Sequence, residues 1–258
     1  MRFLSIFTLV LSLVACSKPS PNTITVGTIS GPETDLVEVA QTVAQERYGL
    51  NVKIVEFNDY NLPNEALQDG SLDANVYQHL PYLQAASKAH GYDLEVIGKT
   101  FVYPAGVYSK KIKSIKQLPD KALIALPNDP SNESRALLLL QKAGLITLKS
   151  EQNSSVQDIA KNPKQLQFKE LDAAQLPRVL DDVDAAVINT TFAIPAGLSP
   201  THDAIFLEDK NSPYANLIVV RKNTDKHPQL DLFVKSMNSP EVKEKAKSLF
   251  GDGAIPAW

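Results

Sequence analysis

Arg135 is the residue whose type and position point most directly to chemistry. It follows the turn-forming residues 127–130, and the pattern predicts a helix from about residue 133 that is capped by Ser131 or Asn132. Arg135 would then lie in the first helical turn, where the helix dipole disfavours a cation. Free backbone N–H groups beside a guanidinium can bind an anion such as a carboxylate. The alternative, which the spacing alone favours, is a surface ion pair with a neighbouring acidic residue.

A second cluster, Tyr77-Gln78-His79-Leu80-Pro81-Tyr82, joins the end of a predicted strand to the start of a helix. Tyr77, His79 and Tyr82 can therefore lie at the carboxyl end of a strand, where aromatic rings could hold an apolar side chain. The alternative is that the tyrosines are core edges and His79 caps a turn.

Five further residues are candidates on weaker grounds. Tyr60 follows a pair of turn residues, Asn189 follows a strand-like run and Asn216 precedes one. Either asparagine could orient a polar ligand group or simply form a turn. Phe192 and Tyr214 could line the same pocket.

Signatures of catalysis and of nucleic-acid binding are lacking in the sequence. There is no nucleophile elbow, phosphate loop, dinucleotide fingerprint or His-Glu-x-x-His motif, and the four histidines have no ligand-like spacing. With 26 basic and 29 acidic residues the net charge is −3, which offers no excess of cations for phosphates. We expect no catalytic residues, cofactor or metal. A metal site assembled in three dimensions and a hydrolase built from scattered carboxylates stay open as alternatives.

The elements that must position these candidates alternate between strands and helices, which predicts an α/β fold with parallel-type sheets flanked by helices. Strands are expected at 24–29, 52–57, 74–77, 94–109, 122–126, 166–171, 185–188, 204–207 and 217–220. Helices are expected after a cap at Thr34 or Asp35, and at 64–68, 81–89, 133–143, 156–161, 229–237 and 240–250. The two similar halves predict two lobes with a ligand cleft between them.

The first fifteen residues resemble a secretory signal. Phe3 to Ala15 carries no charge and, as a helix, would span about 20 Å, too short for a bilayer. The sequence Leu13-Val14-Ala15-Cys16 is similar to a bacterial lipobox, and Cys16 is the only cysteine of the chain. We therefore expect cleavage before Cys16, acylation of its thiol and a tether over 16–22. The folded part would be soluble and lipid-anchored on the extracytoplasmic side. An incidental cysteine is the alternative.

Six segments together resemble the methionine-binding lipoproteins of bacterial ABC importers, the family that includes lipoprotein 28. They are FNDYNLPNEAL (57–67), LDANVYQHLPYL (72–83), FVYPAGVYSKKIKSIKQLPD (101–120), PNDPSNESRALLLLQKAGLI (127–146), QLPRVLDDVDAAVINTTFA (175–193) and SPYANLIVVRK (212–222). The resemblance runs across nearly the whole mature chain and ends at Trp258.

The resemblance implies a two-lobed periplasmic binding protein that forms a first lobe from 23–107, a second from 108–210 and a return to the first over 211–258. It also implies roles. Arg135 matches the arginine that binds the carboxylate of the amino acid, and Asn132 matches an asparagine beside it. Asn189 and Asn216 match the residues that hold the polar end. The side-chain pocket matches Tyr60, Tyr77, His79 and Tyr82. Tyr77 is often phenylalanine and Phe192 often tyrosine in the family, which affects fine ligand preference.

We therefore expect a monomeric, lipid-anchored binding protein that captures methionine and delivers it to an ABC permease with its ATPase subunit. The alternatives are a relative tuned to another amino acid or a dipeptide, a periplasmic enzyme on the same scaffold, and an adhesive surface lipoprotein. The sequence does not distinguish D- from L-methionine, or inner- from outer-membrane anchoring.

Overall fold

The computed structural model describes residues 22–209 and 212–258. Within them the strands are β1 (Thr23–Ile29), β2 (Asn51–Phe57), β3 (Ala74–His79), β4 (Leu94–Val102), β5 (Gly106–Tyr108), β6 (Leu123–Pro127), β7 (Thr147–Leu148), β8 (Ile159–Lys161), β9 (Gln167–Leu171), β10 (Ala185–Ile188), β11 (Phe206–Leu207), β12 (Ala215–Arg221) and β13 (Ile255–Pro256). The helices are α1 (Pro32–Tyr48), α2 (Leu62–Gln68), α3 (Leu80–His90), α4 (Pro130–Lys142), α5 (Thr190–Ala193), α6 (His227–Met237) and α7 (Pro240–Phe250).

Two sheets define two lobes. The first lobe contains the order β13-β4-β12-β3-β1-β2 and the second the order β11-β5-β10-β6-β9. The predicted α/β fold with two lobes is confirmed, but the sheets are mixed. Strands β1, β2 and β3 are parallel, as are β6, β9 and β10, whereas β12 and β5 run antiparallel to their neighbours. The reason is the chain path, because a strand that enters from the other lobe starts at the cleft, where the parallel strands end.

The chain crosses first between β4 and β5, so the predicted strand 94–109 is two strands in different sheets. The predicted lobe boundary after residue 107 falls inside β5, and the crossing lies at residues 103–105. The second crossing lies between β11 and β12 and includes the predicted boundary between 210 and 211, which are outside the described residues. The predicted signal peptide, Cys16 and the tether up to residue 21 also lie outside them. Within the described ranges, no helix combines the length and the apolar content needed to cross a bilayer.

Helix α1 shows why the first lobe folds as its sequence predicts. Leu36, Val37 and Ala40 are fully buried on its inner face, and each buried Leu or Val contributes about 1.5–3 kcal/mol. Its predicted cap is wrong. The helix begins at Pro32 behind Gly31, and the Thr34 hydroxyl donates instead to the carbonyl of residue 29 at 2.9 Å. Proline fits the first helical position because its missing N–H would have no partner there.

Helix α4 also begins earlier than predicted. Asp129 is the cap, and its carboxylate accepts the Asn132 N–H at 2.9 Å, while Pro130 occupies the first position. Arg135 therefore lies in the second turn, and the argument that it opposes the helix dipole in the first turn is wrong. On the same helix Leu137, Leu139 and Leu140 are buried.

The predicted helix at 156–161 is also wrong. It is a 3-10 turn at Val156–Asp158, in which the Ser155 hydroxyl donates to Asp158, followed by β8, which pairs with β7.

Candidate ligand-binding site

A pocket lies between the lobes, at the carboxyl ends of the parallel strands. Its empty space, open solvent at the mouth included, is about 340 Å³, and it is lined by Tyr60, Tyr77, Gln78, His79, Tyr82, Tyr103, Asn132, Arg135, Asn189, Thr190, Thr191 and Asn216. The structure thus places all eight sequence-predicted ligand-binding residues around one space. Their individual contacts to a ligand stay a prediction.

The first lobe contributes a wall of aromatic rings. The Tyr60 ring lies 4.9 Å from Phe192, 5.8 Å from Tyr77 and 5.9 Å from Tyr82, measured between ring centroids. The Tyr77 and Tyr82 hydroxyls both donate to the Tyr60 carbonyl, at 3.2 and 2.7 Å. Burial raises the pKa of the Tyr60 and Tyr77 phenols well above their ordinary value, so this wall is neutral at physiological pH.

His79 is a neutral imidazole that joins the two lobes. It ends β3 and caps α3, where its Nδ1 accepts the Tyr82 N–H at 3.3 Å. The proton therefore lies on Nε2, which donates to Asn132 Oδ1 at 3.3 Å. Burial, followed by the charge of Arg135, lowers the pKa of His79 to about 3. This residue therefore adds no charge to the pocket.

Asn132 has its amide orientation fixed by three partners. Its Oδ1 accepts from His79 and also from Asn189 Nδ2 at 2.8 Å, while its own Nδ2 donates to Asp129 at 2.9 Å. Asn216, on the opposite lobe, donates through Nδ2 to the Tyr77 carbonyl at 3.3 Å. No donor among the described residues bonds to the Oδ1 atoms of Asn189 and Asn216, so these two amides keep an acceptor for a ligand.

Arg135 is held by partners that are distant in sequence. Its Nε donates to Glu208 Oε1 at 3.1 Å, and its Nη2 donates to Glu208 Oε2 at 2.5 Å and to the Tyr103 carbonyl at 2.9 Å. The guanidinium carbon lies 4.3 Å from the centroid of the Tyr214 ring. Both charged side chains are buried, Arg135 being 5% and Glu208 8% exposed. The ion pair is thus buried and long-range, unlike the local surface pair that the spacing favoured.

Several lining or supporting residues were missed by the sequence analysis. Thr190 and Thr191 directly follow the candidate Asn189, and Gln78 lies inside the candidate segment 77–82, so position alone could have found them. Tyr103 and Glu208 carried no comparable signal, because both reach Arg135 only through the crossings between the lobes.

The lobes also touch through side chains at the edge of the pocket. The Thr191 hydroxyl donates to Glu33 Oε1 at 2.5 Å, and Asn61 donates to Asp172 at 3.3 Å. Glu33 is buried in the first turn of α1, and desolvation raises its pKa to about 7. With the His79–Asn132 bond, these contacts define a closed arrangement of the lobes.

The arrangement supports binding better than reaction. A buried arginine, oriented amides and neutral rings can hold an amino acid by its polar end and its side chain. In the part of the chain that the structure describes, no group of three or more His, Cys, Asp or Glu residues could hold a metal ion.

A two-lobed α/β chain with such a pocket between its lobes has the architecture of a substrate-binding protein. The chain belongs to the NlpA lipoprotein family, whose model matches residues 24–258. It is 51% identical to the D-methionine-binding lipoprotein MetQ of Escherichia coli (strain K12) over 254 residues, which cover 96% of this chain and 94% of that protein.

Two solved structures have the same fold. An ABC transporter periplasmic substrate-binding protein from Coxiella burnetii is 60% identical, with a TM-score of 0.88 over 91% of this chain and 100% of that one. A nutrient-binding protein from Burkholderia cenocepacia bound to methionine is 55% identical, with a TM-score of 0.89 over 91% of this chain and 100% of that one. These relatives are named for binding and transport rather than for catalysis, as the sequence predicted.

Proposed function

We propose that this protein captures methionine outside the cytoplasm and delivers it to an ABC importer, without catalysing a reaction. The observation that carries the proposal is the pocket itself, which combines a buried arginine, fixed amides and a neutral aromatic wall between two lobes. The family membership and the methionine-bound relative support the same ligand.

In this proposal Arg135 binds the α-carboxylate, and Asn132, Asn189 and Asn216 hold the polar end. The rings of Tyr60, Tyr77, His79 and Tyr82 surround the thioether side chain. A thioether in contact with aromatic rings gains about 0.3–1.5 kcal/mol, whereas a buried amide or ammonium without partners is disfavoured. The neutrality of His79 and the tyrosines therefore favours methionine over glutamine and lysine.

The direct test is calorimetric titration of protein that has been unfolded and refolded to remove retained ligand. We expect L- or D-methionine to bind more tightly than leucine, glutamine and lysine, because leucine has different branching, worth about 1–3 kcal/mol. No heat with either methionine isomer, together with clear binding of a charged or larger compound, would contradict the proposed ligand.

We further propose that the protein is a monomer attached through acylated Cys16 to the outer face of a membrane, where it docks on a permease served by an ATPase subunit. The lipobox-like sequence ending at the only cysteine supports the anchor. The change Cys16→Ser should abolish incorporation of labelled palmitate in cells, whereas Ser17→Ala should retain it. Equal labelling of the two variants would refute the anchor and leave the ligand proposal untouched.

A further inference from the structure

Glu208 lies behind Arg135 rather than in the pocket. It borders an outer groove of about 680 Å³ that is lined by Arg135, Leu138, Leu139, Gln141, Lys142, Glu151, Glu208, Ser212, Pro213 and Tyr214. Arg135 lines both the groove and the pocket and therefore forms part of the wall between them. The carboxylate thus faces the guanidinium on the side away from the ligand space.

The position of this carboxylate is fixed by the first crossing between the lobes. Glu208 Oε2 accepts the Ala105 N–H at 3.1 Å, and the Glu208 N–H donates to the Ala105 carbonyl at 2.9 Å. Arg135 is fixed at the same place, because its Nη2 also donates to the Tyr103 carbonyl. The Glu208 carboxylate is therefore held beside the arginine and cannot easily rotate away when a ligand binds.

The bonds of Arg135 determine what remains for a ligand. Nε and Nη2 are occupied by Glu208 and Tyr103, and among the described residues Nη1 has no acceptor. A ligand carboxylate would therefore bind through Nη1, with the Glu208 carboxylate on the other side of the same guanidinium. Because Arg135 and Glu208 are largely buried, solvent screens them only weakly, and the two carboxylates repel each other across the arginine.

The charged groups near the arginine give no excess of positive charge, because Glu208 pairs with it and the acidic residue Asp129 lies beside Asn132. Arg135 and Glu208 cancel each other, and His79 is neutral. The pocket consequently provides little net positive potential for an anion. A zwitterion suffers less from Glu208 than an anion does, because its α-ammonium is attracted by the same carboxylate that repels its carboxylate.

We propose that Glu208 makes this pocket selective for zwitterionic amino acids over carboxylic acids of the same shape that lack the α-ammonium group. This deepens the proposed function and rests on it. Arg135 supplies affinity for the carboxylate, and the fixed carboxylate behind it prevents the site from accepting simple anions.

The experiment compares L-methionine with 4-(methylthio)butanoate, which has the same chain and carboxylate but no ammonium. Calorimetry gives the two dissociation constants, and their ratio measures selectivity. If a variant displaces Arg135, the affinities for both ligands fall together, because both ligands bind the arginine through a carboxylate. This effect cancels in the ratio of the dissociation constants. We expect Glu208→Gln to reduce the preference for methionine by at least tenfold. The butanoate is freed from the repulsion of Glu208, whereas methionine also loses the attraction between Glu208 and its ammonium group.

The controls separate charge from structure. Glu208→Asp keeps the charge and should keep the wild-type ratio, and Glu151→Gln removes an exposed carboxylate from the same groove and should leave the ratio within twofold. If Glu208→Gln does not fold, Glu208→Ala serves instead, because water from the groove can fill the space that it leaves.

An unchanged or larger preference for methionine in the folded neutral variant would overturn the inference. That outcome leaves the proposed function standing, since the wild type still binds methionine. Failure of the wild type to bind methionine would instead remove the proposed function and this inference with it.

Discussion

The two sides of the pocket are built in different ways. The aromatic side comes from the first lobe, where β3, α3 and their junction place Tyr77, His79 and Tyr82 within six consecutive residues. The charged side comes from α4 of the second lobe, and its arginine depends on Glu208 and on the Tyr103 carbonyl. One side is therefore specified by local sequence and the other by contacts that only the folded chain creates.

This difference has an energetic consequence. The aromatic side is neutral and packs by ring contacts, so a change there affects mainly the ligand. The charged side contains a buried ion pair, and removing one partner leaves the other buried and uncompensated, which costs about 3–5 kcal/mol. Changes at the charged side should therefore affect ligand binding and folding together.

The largest effect is expected for Arg135→Ala, which tests the charged side directly. Affinity for methionine should fall by roughly 100-fold or more, because the ligand carboxylate loses its buried partner, an effect of about 2–5 kcal/mol. The melting temperature should also fall, since Glu208 is left without its cation. Calorimetry and thermal unfolding measure the two effects.

The matched control for this change is Arg178→Ala, because Arg178 is an exposed arginine of the same lobe. It should leave affinity and melting temperature near wild type. Combining Arg135→Ala with Glu208→Gln should recover part of the lost stability but not the lost affinity. An affinity of Arg135→Ala within threefold of wild type would remove the assigned role of the arginine.

A pH effect of intermediate size should come from Glu33, which joins the lobes through Thr191. Its pKa is raised from 4.5 to about 7, so the protonated form favours the folded state. Its contribution to stability is present below pH 4.5 and is lost as the pH rises to about 7, on the order of 3 kcal/mol. The advantage of wild type over Glu33→Gln should thus be larger at pH 5 than at pH 8.

Urea unfolding at the two pH values measures this difference. The control is Glu38→Gln, which removes an exposed carboxyl from the same helix, and its free-energy difference is measured alongside. A constant free-energy difference between wild type and Glu33→Gln from pH 5 to pH 8 would show that this carboxyl keeps its ordinary titration in the fold.

The smallest effect is expected on the aromatic side, for Tyr82→Phe. The variant keeps the ring and loses the 2.7 Å bond from its hydroxyl to the Tyr60 carbonyl, worth about 1 kcal/mol. Methionine affinity should fall severalfold while the preference over leucine persists. Tyr92→Phe, at a ring outside the pocket, should leave affinity unchanged in the same titration. A loss as large as that of Arg135→Ala would mean that the two sides do not differ as described.

Much of the fold could be predicted from sequence because its signals are local. Apolar runs marked the strands of both lobes, and α1 and α3 end at glycines in the left-handed conformation, Gly49 and Gly91, which is a local signal too. Helix starts and strand directions were predicted less well from the sequence. The start of α4 at Pro130 is set locally by the Asp129 cap, whereas the antiparallel direction of β12 depends on where the chain comes from, which periodicity does not encode.

The sequence by itself determined the aromatic side of the site, since β3, the cap at His79 and the ring positions follow from a strand running directly into a helix. It also determined that Arg135 is a candidate, although for a reason that the fold does not support. Only the tertiary structure decided how that arginine is held. Glu208 lies 73 residues away in sequence and contacts the crossing at residues 103–105, where it pairs with the arginine. A buried cation requires an anionic partner, and here the fold supplies that partner from the end of a distant strand.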